Sequence, residues 1–338
     1  MSKTVIEETR EIRKFQTPWL AMMFAAMVAV LILVPARLKA PWPMLIFDRF
    51  APGTGWIEIV FLAVYAGLLA GKLLDSKTAV KWRLRAWRIF SVVFFGQLIL
   101  GLLGASRFLM TGKLHLPVPA LILAGPIYRG QGTFMLILLL ATIALVGPAW
   151  CSHLCYIGAW DATAAENRKK PKKLPKYRSL LRAIIFALVT FTALLLSLFH
   201  ASGTVAVLFG AAFGIGGLLV MWFLSRKTGQ MVHCTTWCPV GLFVNVVGKL
   251  NPFRVTINDR CTKCMACTLA CRYDALDADK IDQKRPGLTC SLCEDCLPRC
   301  NDGAIGFAFY KKQTPIARMI FVVMIAGIHA AFLGLARI

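Results

Sequence analysis

Long apolar runs dominate the pattern of hydrophobic and polar positions along the chain. Seven of them approach or exceed the roughly 20 residues that a membrane-crossing helix needs. Polar residues interrupt three runs (Glu58, Gln97 and His329), so six helices is the alternative count. The runs cover residues 18–35, 56–74, 88–110, 131–150, 183–200, 204–225 and 315–336. The pattern predicts a membrane α-helical protein with about seven transmembrane helices.

A different pattern separates the sixth run from the seventh. Residues 253–257 and 304–310 are rich in β-branched and aromatic side chains, which is typical of strands. We therefore predict a small α+β domain inserted before the last helix. The predicted segments are a transmembrane domain of about six helices (1–225), an inner juxtamembrane segment (226–250), the inserted domain (251–313) and a C-terminal transmembrane helix (314–338).

Composition agrees with a membrane protein, since 58% of the residues are hydrophobic and the mean hydropathy is +0.65. The net charge of +23 follows the topology: with the N-terminus inside, 32 of the 39 Lys and Arg residues fall on inner segments. This bias fits the positive-inside rule, so a nucleic acid partner is not needed to explain it. We predict a multi-pass protein of the inner (cytoplasmic) membrane, with the N-terminus and the inserted domain cytoplasmic and the C-terminus outside. The basic stretch 168–182 is expected to face anionic lipid.

Eight of the twelve cysteines form two copies of the pattern C-x-x-C-x-x-C-x-x-x-C, 29 residues apart. This is the spacing with which bacterial two-cluster ferredoxins hold two [4Fe–4S] clusters, the fourth cysteine of each copy binding the other cluster. Zinc sites, the alternative, usually present separated C-x-x-C pairs. The spacing predicts Cys261, Cys264, Cys267 and Cys300 as ligands of cluster one, and Cys290, Cys293, Cys296 and Cys271 as ligands of cluster two.

The other four cysteines form two C-x-x-x-C pairs, each at the inner end of a predicted span. They are Cys151, Cys155, Cys234 and Cys238. Residues four apart lie on one face of a helix, so the two pairs can supply four thiolates to a third [4Fe–4S] cluster at the membrane boundary. A dithiol redox pair and the simple packing of buried, reduced cysteines are the alternatives. The shared C-x-x-x-C-x-x-G motif also predicts an internal repeat.

Other polar residues in or near the spans give weaker indications. Glu58 is a functional candidate because a carboxylate within a bilayer is costly. His153 and His233 flank the cysteine pairs and are expected to form local hydrogen bonds or to meet the lipid headgroups; tuning or replacing a cluster ligand is the alternative. His200 and His329 lie toward the outer side, but their depths match only loosely, so haem b is not expected.

The order of spans, Cys-x-x-x-Cys, helical hairpin, Cys-x-x-x-Cys-Pro and double cysteine quartet resembles the membrane polyferredoxins of the periplasmic nitrate reductase H-subunit type. Methylamine-utilisation ferredoxin-type proteins and the C-terminal part of nitrous-oxide-reductase regulator proteins are similar. The resemblance covers approximately residues 87–310. The chain departs from the pattern at Tyr156, Arg272 and Asn301, where proline is usual. The resemblance implies electron transfer between the quinone pool and a partner redox protein.

The expected function is that of a membrane-bound iron–sulfur electron-transfer protein. Its expected partners are membrane lipid, a diffusible quinone or quinol, and a redox partner protein or larger oxidoreductase complex. Whether the chain is itself an enzyme, as the quinol dehydrogenase component of such a complex, stays open. The alternative is an accessory factor that supplies electrons for metal reduction or metalloenzyme assembly. A transporter is disfavoured, since the spans hold too few buried ionisable groups to line an ion path.

Overall fold

The computed structural model describes residues 18–109, 116–310 and 312–335. The predicted cytoplasmic N-terminus (1–17) and the end of the predicted outer C-terminus (336–338) lie outside these residues. In the described part, seven helices are long and apolar enough to cross a membrane, which confirms the predicted membrane-helical fold. They are Pro18–Lys39, Gly55–Leu74, Ala79–Leu102, Phe134–Leu154, Arg178–Leu198, Gly203–Thr228 and Pro315–Leu335.

Hydropathy predicted that the third of these helices begins at residue 88, but the helix begins at Ala79. Its first turns are basic, yet Arg83 is buried, with its guanidinium 5.5 Å from the ring centre of Trp87. Long basic side chains can pack their apolar stems along a helix. The charges therefore do not end the helix, although they lower its hydropathy.

The structure forms two compact units, one made of residues 1–114 and 306–338 and the other of residues 115–305. In the first unit, the described helices are α1 (Pro18–Lys39), α2 (Ile46–Phe50), α3 (Gly55–Leu74), α4 (Ala79–Leu102) and α12 (Pro315–Leu335). In the second, those of five residues or more are α5 (Leu121–Arg129), α6 (Phe134–Val146), α7 (Tyr156–Glu166), α8 (Arg178–Leu198), α9 (Gly203–Leu219), α10 (Pro239–Val247) and α11 (Ala278–Asp282). The predicted division into four segments (1–225, 226–250, 251–313 and 314–338) is based on membrane insertion and cluster binding, which the two compact units do not test, so it stays a prediction.

Strands form where the sequence predicted them, at β1 (Phe253–Ile257) and β2 (Ile305–Phe309). A short third strand, β3 (Lys312–Gln313), pairs antiparallel with β2, with Ala308 opposite Gln313. In the second unit, the Asn258 N–H after β1 donates to the Ala304 carbonyl before β2 at 2.9 Å. These strands flank the double cysteine quartet.

Small residues let the helices of the first unit pack closely. Ala21, Ala25 and Ala29 form a buried stripe along α1. A Cβ atom on Gly327 of α12 would lie 2.6 Å from Val28 Cγ1, so only glycine fits that contact. Close approach over small residues is how helices associate in a membrane.

Two of the polar residues that interrupt the spans of this unit, Glu58 and His329, have partners within it, whereas the buried Gln97 Oε1 has no hydrogen-bond partner among the described residues. Glu58 Oε2 accepts a hydrogen bond from the Phe47 N–H at 2.9 Å, at the start of α2. His329 is buried, with Nε2 lying 3.0 Å from Tyr65 Oη. Glu58 thus has a structural role in the described contacts. In the second unit, His200 is exposed at the turn between α8 and α9.

Candidate metal centres

The two C-x-x-x-C pairs lie on π turns and not on regular α-helices, which corrects the expected geometry. After α6, the Cys155 N–H donates five residues back to the Trp150 carbonyl at 3.0 Å, and before α10 the Cys238 N–H donates to the His233 carbonyl at 2.8 Å. Each turn ends in an extended cysteine, with φ and ψ of −77° and 116° at Cys155 and −75° and 118° at Cys238. The two cysteine motifs of the predicted internal repeat therefore have the same backbone conformation. Single π turns are frequent at functional sites.

These turns bring all four cysteines together in the second unit. Cys151, Cys155, Cys234 and Cys238 are buried, and none forms a disulfide. Cys234 is close enough to interact electrostatically with each of the other three. We call this group the boundary quartet.

Helix N-termini point at two members of the boundary quartet. Cys155 directly precedes α7 and Cys238 directly precedes α10, and the N–H groups of Gly158 and Gly241 donate toward their sulfurs. Burial nevertheless raises the pKa of both thiols, that of Cys155 to about 12. Without a metal these cysteines are therefore protonated at neutral pH, and metal binding requires the thiolate.

A buried cation faces the boundary quartet. Arg182 on α8 is only 3% exposed, and its Nε and Nη2 atoms have no hydrogen-bond partner. It interacts electrostatically with Cys151, Cys234 and Cys238. A buried charge without a counter-charge is strongly destabilising. Four thiolates around a [4Fe–4S] cluster carry a net negative charge, so the residues present fit this group.

Asp161 fixes the second π turn and was missed by sequence reasoning. Its side chain on α7 is fully buried, and Oδ2 accepts a hydrogen bond from the Cys234 N–H at 2.9 Å. Burial raises the pKa of Asp161 to about 6. The available signal was a carboxylate in an otherwise apolar stretch, six residues after Cys155.

The double cysteine quartet lines two separate cavities, each with one predicted ligand set. The first set, Cys261, Cys264, Cys267 and Cys300, lines one cavity. The second set, Cys271, Cys290, Cys293 and Cys296, lines the other. The structure thus brings together the fourth cysteine of each copy with the first three of the other.

The backbone of the two copies repeats residue for residue. Lys263 and Met265 have positive φ angles of 56° and 60°, and Leu292 and Glu294, 29 residues later, have 55° and 65°. Left-handed residues in such turns make backbone N–H groups converge in a nest, which is found at many Fe–S sites. The turns are therefore shaped for an anionic, sulfur-rich group.

The fourth cysteines of the two copies accept the same backbone hydrogen bond. Cys271 Sγ accepts a hydrogen bond from the Ala275 N–H, and Cys300 Sγ from the Ala304 N–H, both at 3.2 Å. Burial raises the pKa of Cys271 to about 12. Hydrogen bonds to cluster sulfurs tune the reduction potential.

Two hydrogen bonds join the boundary quartet to the second set. Tyr273 Oη donates to the Cys151 carbonyl at 2.9 Å, and Ser152 Oγ donates to the Ser291 carbonyl at 2.7 Å. Tyr273 follows Cys271 by two residues. The second set is therefore the neighbour of the boundary quartet. Ser152 Oγ also lies 2.9 Å from His153 Nδ1, and this contact is the local hydrogen bond that was expected for His153.

Arg272 explains one departure from the ferredoxin pattern. Its Nη1 donates to the carbonyls of Ala165, Arg168 and Gly229, at 2.7–3.1 Å. Proline at this position has no side-chain donor and could not form these hydrogen bonds. The basic stretch, expected at anionic lipid, also contributes here, since Arg178 forms an ion pair of 3.0 Å with Asp274.

Among the described residues, no group of three or more His, Cys, Asp or Glu side chains is arranged to hold a single metal ion. Cluster binding by the twelve cysteines therefore stays a proposal, made below. His233 lies next to the boundary quartet, and burial lowers its pKa to about 4, so its ring is neutral.

Comparison with known proteins gives a consistent result. A family model described as a 4Fe–4S binding domain matches residues 132–175 and 206–258, the two segments that carry the boundary quartet. An uncharacterized protein of Methanocaldococcus jannaschii is 24% identical over 202 residues, 55% of this chain and 82% of the relative. The methylamine utilization ferredoxin-type protein MauN of Paracoccus denitrificans is 28% identical over 196 residues, 53% of this chain and 65% of the relative.

The YccM electron transport protein of Escherichia coli is 24% identical over 266 residues, 70% of this chain and 71% of that protein. No solved structure matches the chain. The seven apolar helices agree with these relationships. These similarities support a polyferredoxin-like family for the chain, with a 4Fe–4S binding domain in the two matched segments.

Proposed function

We propose that this protein is an inner-membrane electron carrier that holds three [4Fe–4S] clusters and exchanges electrons between the quinone pool and a cytoplasmic redox partner. The observation that carries the proposal is the boundary quartet: four buried cysteines on repeated π turns, facing an uncompensated Arg182. The names of the ferredoxin-type and electron-transport relatives agree with it. When bound, such clusters accept and release single electrons.

The residues support a defined order of the three sites. Tyr273 and Ser152 join the boundary quartet to the second set. In the first set, Cys264 is exposed. The boundary quartet would thus face the membrane side, and the first set would face a soluble partner. The positive-inside charge distribution supports a cytoplasmic location for this domain.

Charge near the quartets is expected to separate the potentials of clusters one and two. Lys263 and Met265 in the first copy stand where Leu292 and Glu294 stand in the second. Glu294→Gln is expected to raise the midpoint potential of cluster two by on the order of 50 mV, because a buried negative charge disfavours reduction. A potentiometric EPR titration measures this, with the exposed Asp279→Asn as the control. If cluster two has the same midpoint potential in Glu294→Gln as in Asp279→Asn, the assignment of the second set to cluster two is contradicted.

Electron exchange with quinone tests the function itself. The cluster-loaded full chain in liposomes, reduced with dithionite and freed of excess reductant, is mixed with a short-chain ubiquinone. We expect the visible absorbance of oxidised clusters to return as quinol forms. If no quinone analogue reoxidises the clusters while a soluble dye does, the quinone proposal fails and the accessory-factor alternative gains support.

A further inference from the structure

The second unit contains an apolar cavity of about 410 Å³ beside the boundary quartet. Helices α5, α8 and α9 form its sides, and Trp237 contributes to its wall. Ligand cavities of a few hundred Å³ with few polar groups are typical of small-molecule sites. The volume is sufficient for an aromatic ring with part of an attached chain.

Small residues open this cavity between the helices. Gly125 of α5, Ala193 of α8, and Ala206, Ala212 and Gly216 of α9 line it. Larger side chains at these positions would fill the space. The void is thus a property of the sequence, since each of the three helices contributes a residue without a bulky side chain.

Trp237 is held rigidly at the cavity wall. Its indole stacks on Phe213, with ring centres 5.0 Å apart, and Nε1 donates to the Phe213 carbonyl at 3.3 Å. A Cβ atom on Gly216 would lie 2.8 Å from Trp237 Cζ2, so glycine is needed for this packing. Trp237 directly precedes Cys238, and the cavity and the boundary quartet therefore share one π turn.

The rim of the cavity faces the apolar surface of the spans. Leu188 on α8 is 60% exposed and Phe209 on α9 is 54% exposed, and both also line the cavity. A ligand dissolved in the bilayer can reach such a site without crossing water. Two hydroxyl-bearing residues, Tyr128 and Thr192, are part of the lining, and the Tyr128 hydroxyl donates to the Ala201 carbonyl at 2.7 Å.

We propose that this cavity binds the ring of a membrane quinone or quinol next to the boundary quartet. The inference rests on the proposed function and adds the binding site. Reduction of one quinone would consume two electrons, one from each of two reduced clusters, delivered directly or in succession through the cluster nearest the quinone, and two protons from water. Quinol oxidation is the reverse, with the electrons returned to the clusters and the protons released.

Filling the cavity tests the site. Ala212→Phe adds a ring at a lining residue on the exposed side of the cavity, whereas Ala211→Phe adds the same ring at the preceding residue of α9, which does not line the cavity. We expect Ala212→Phe to slow the reoxidation of the dithionite-reduced clusters by ubiquinone about tenfold or more. The affinity of the protein for ubiquinone in detergent should fall by a similar factor. Ala211→Phe should match the parent protein in both measurements. Ala206→Phe is the second cavity-filling variant if Ala212→Phe does not fold.

Iron content and reoxidation by a soluble dye must stay unchanged for the comparison to hold. If the parent exchanges electrons with quinone and both cavity-filling variants do so at the same rate, the site is wrong while the proposed function stands. If the parent itself is not reoxidised by quinone, the proposed function fails. Equal losses in Ala211→Phe and Ala212→Phe would also overturn the site, because the effect would then not depend on the cavity.

Discussion

Replacing Cys155 and Cys234 with serine is expected to remove about four iron atoms per chain and to leave about eight. Each π turn then loses one thiolate, and two of the four ligands of the boundary cluster are gone. The two cavities of the double quartet keep all eight of their cysteines. Iron and acid-labile sulfide analysis measures the loss, and the reduced EPR spectrum should lose one component. Electron exchange with quinone should fall about a hundredfold or more, since the proposed entry site is missing.

The serine variant separates the three roles considered for these residues. Serine is nearly isosteric with cysteine, so a packing role predicts unchanged iron, with stability lowered only by the cost of burying two hydroxyl groups. A dithiol redox pair also predicts unchanged iron, with loss of a reversible thiol oxidation. Cys264→Ser is the matched comparison, because it removes one ligand of cluster one and leaves the boundary quartet intact. Unchanged iron in the double variant, with normal thermal stability, would contradict the third cluster.

Replacing Arg182 with methionine is expected to lower the midpoint potential of the boundary cluster by on the order of 50–100 mV. A single charge at roughly 8 Å and an effective dielectric constant of about 20 corresponds to about 2 kcal/mol. The reduced cluster carries the larger negative charge, so loss of the cation disfavours reduction. Arg182→Lys, which keeps the charge, should recover most of the potential.

Redox titration followed by EPR checks this expectation. Arg178→Met is a suitable control, since it removes the same charge four residues earlier on α8, where Arg178 pairs with Asp274. A structural role for Arg182 alone would reduce stability in both Arg182 variants and leave the potential unchanged. An unchanged potential in Arg182→Met would therefore contradict charge compensation of a cluster.

The sequence was sufficient for the elements whose signal is local. The spans follow from long apolar runs, and the grouping of the eight cysteines around two cavities follows from an exact 29-residue repeat. Hydropathy misplaced α4 because buried Arg83 contributes polar character without ending the helix. Helical spacing likewise missed the π turns, since C-x-x-x-C fits both a regular helix and a π turn followed by an extended residue.

The long-range contacts of the site could not be predicted. Asp161 reaches Cys234 and Tyr273 reaches Cys151 across 73 and 122 residues of chain, and no local pattern encodes such pairs. Two of the departures from the family pattern, Tyr156 and Arg272, are explained only in three dimensions. Tyr156 takes the first position of α7 that Pro239 takes in α10, a position where proline is favoured and not required.

Metal content tests the central claim most directly. The full chain, purified without oxygen, should contain about twelve iron atoms and about twelve acid-labile sulfides, with three reducible [4Fe–4S] signals. A folded protein with about eight iron atoms would contradict the boundary cluster, and a folded, iron-free protein would contradict the whole account.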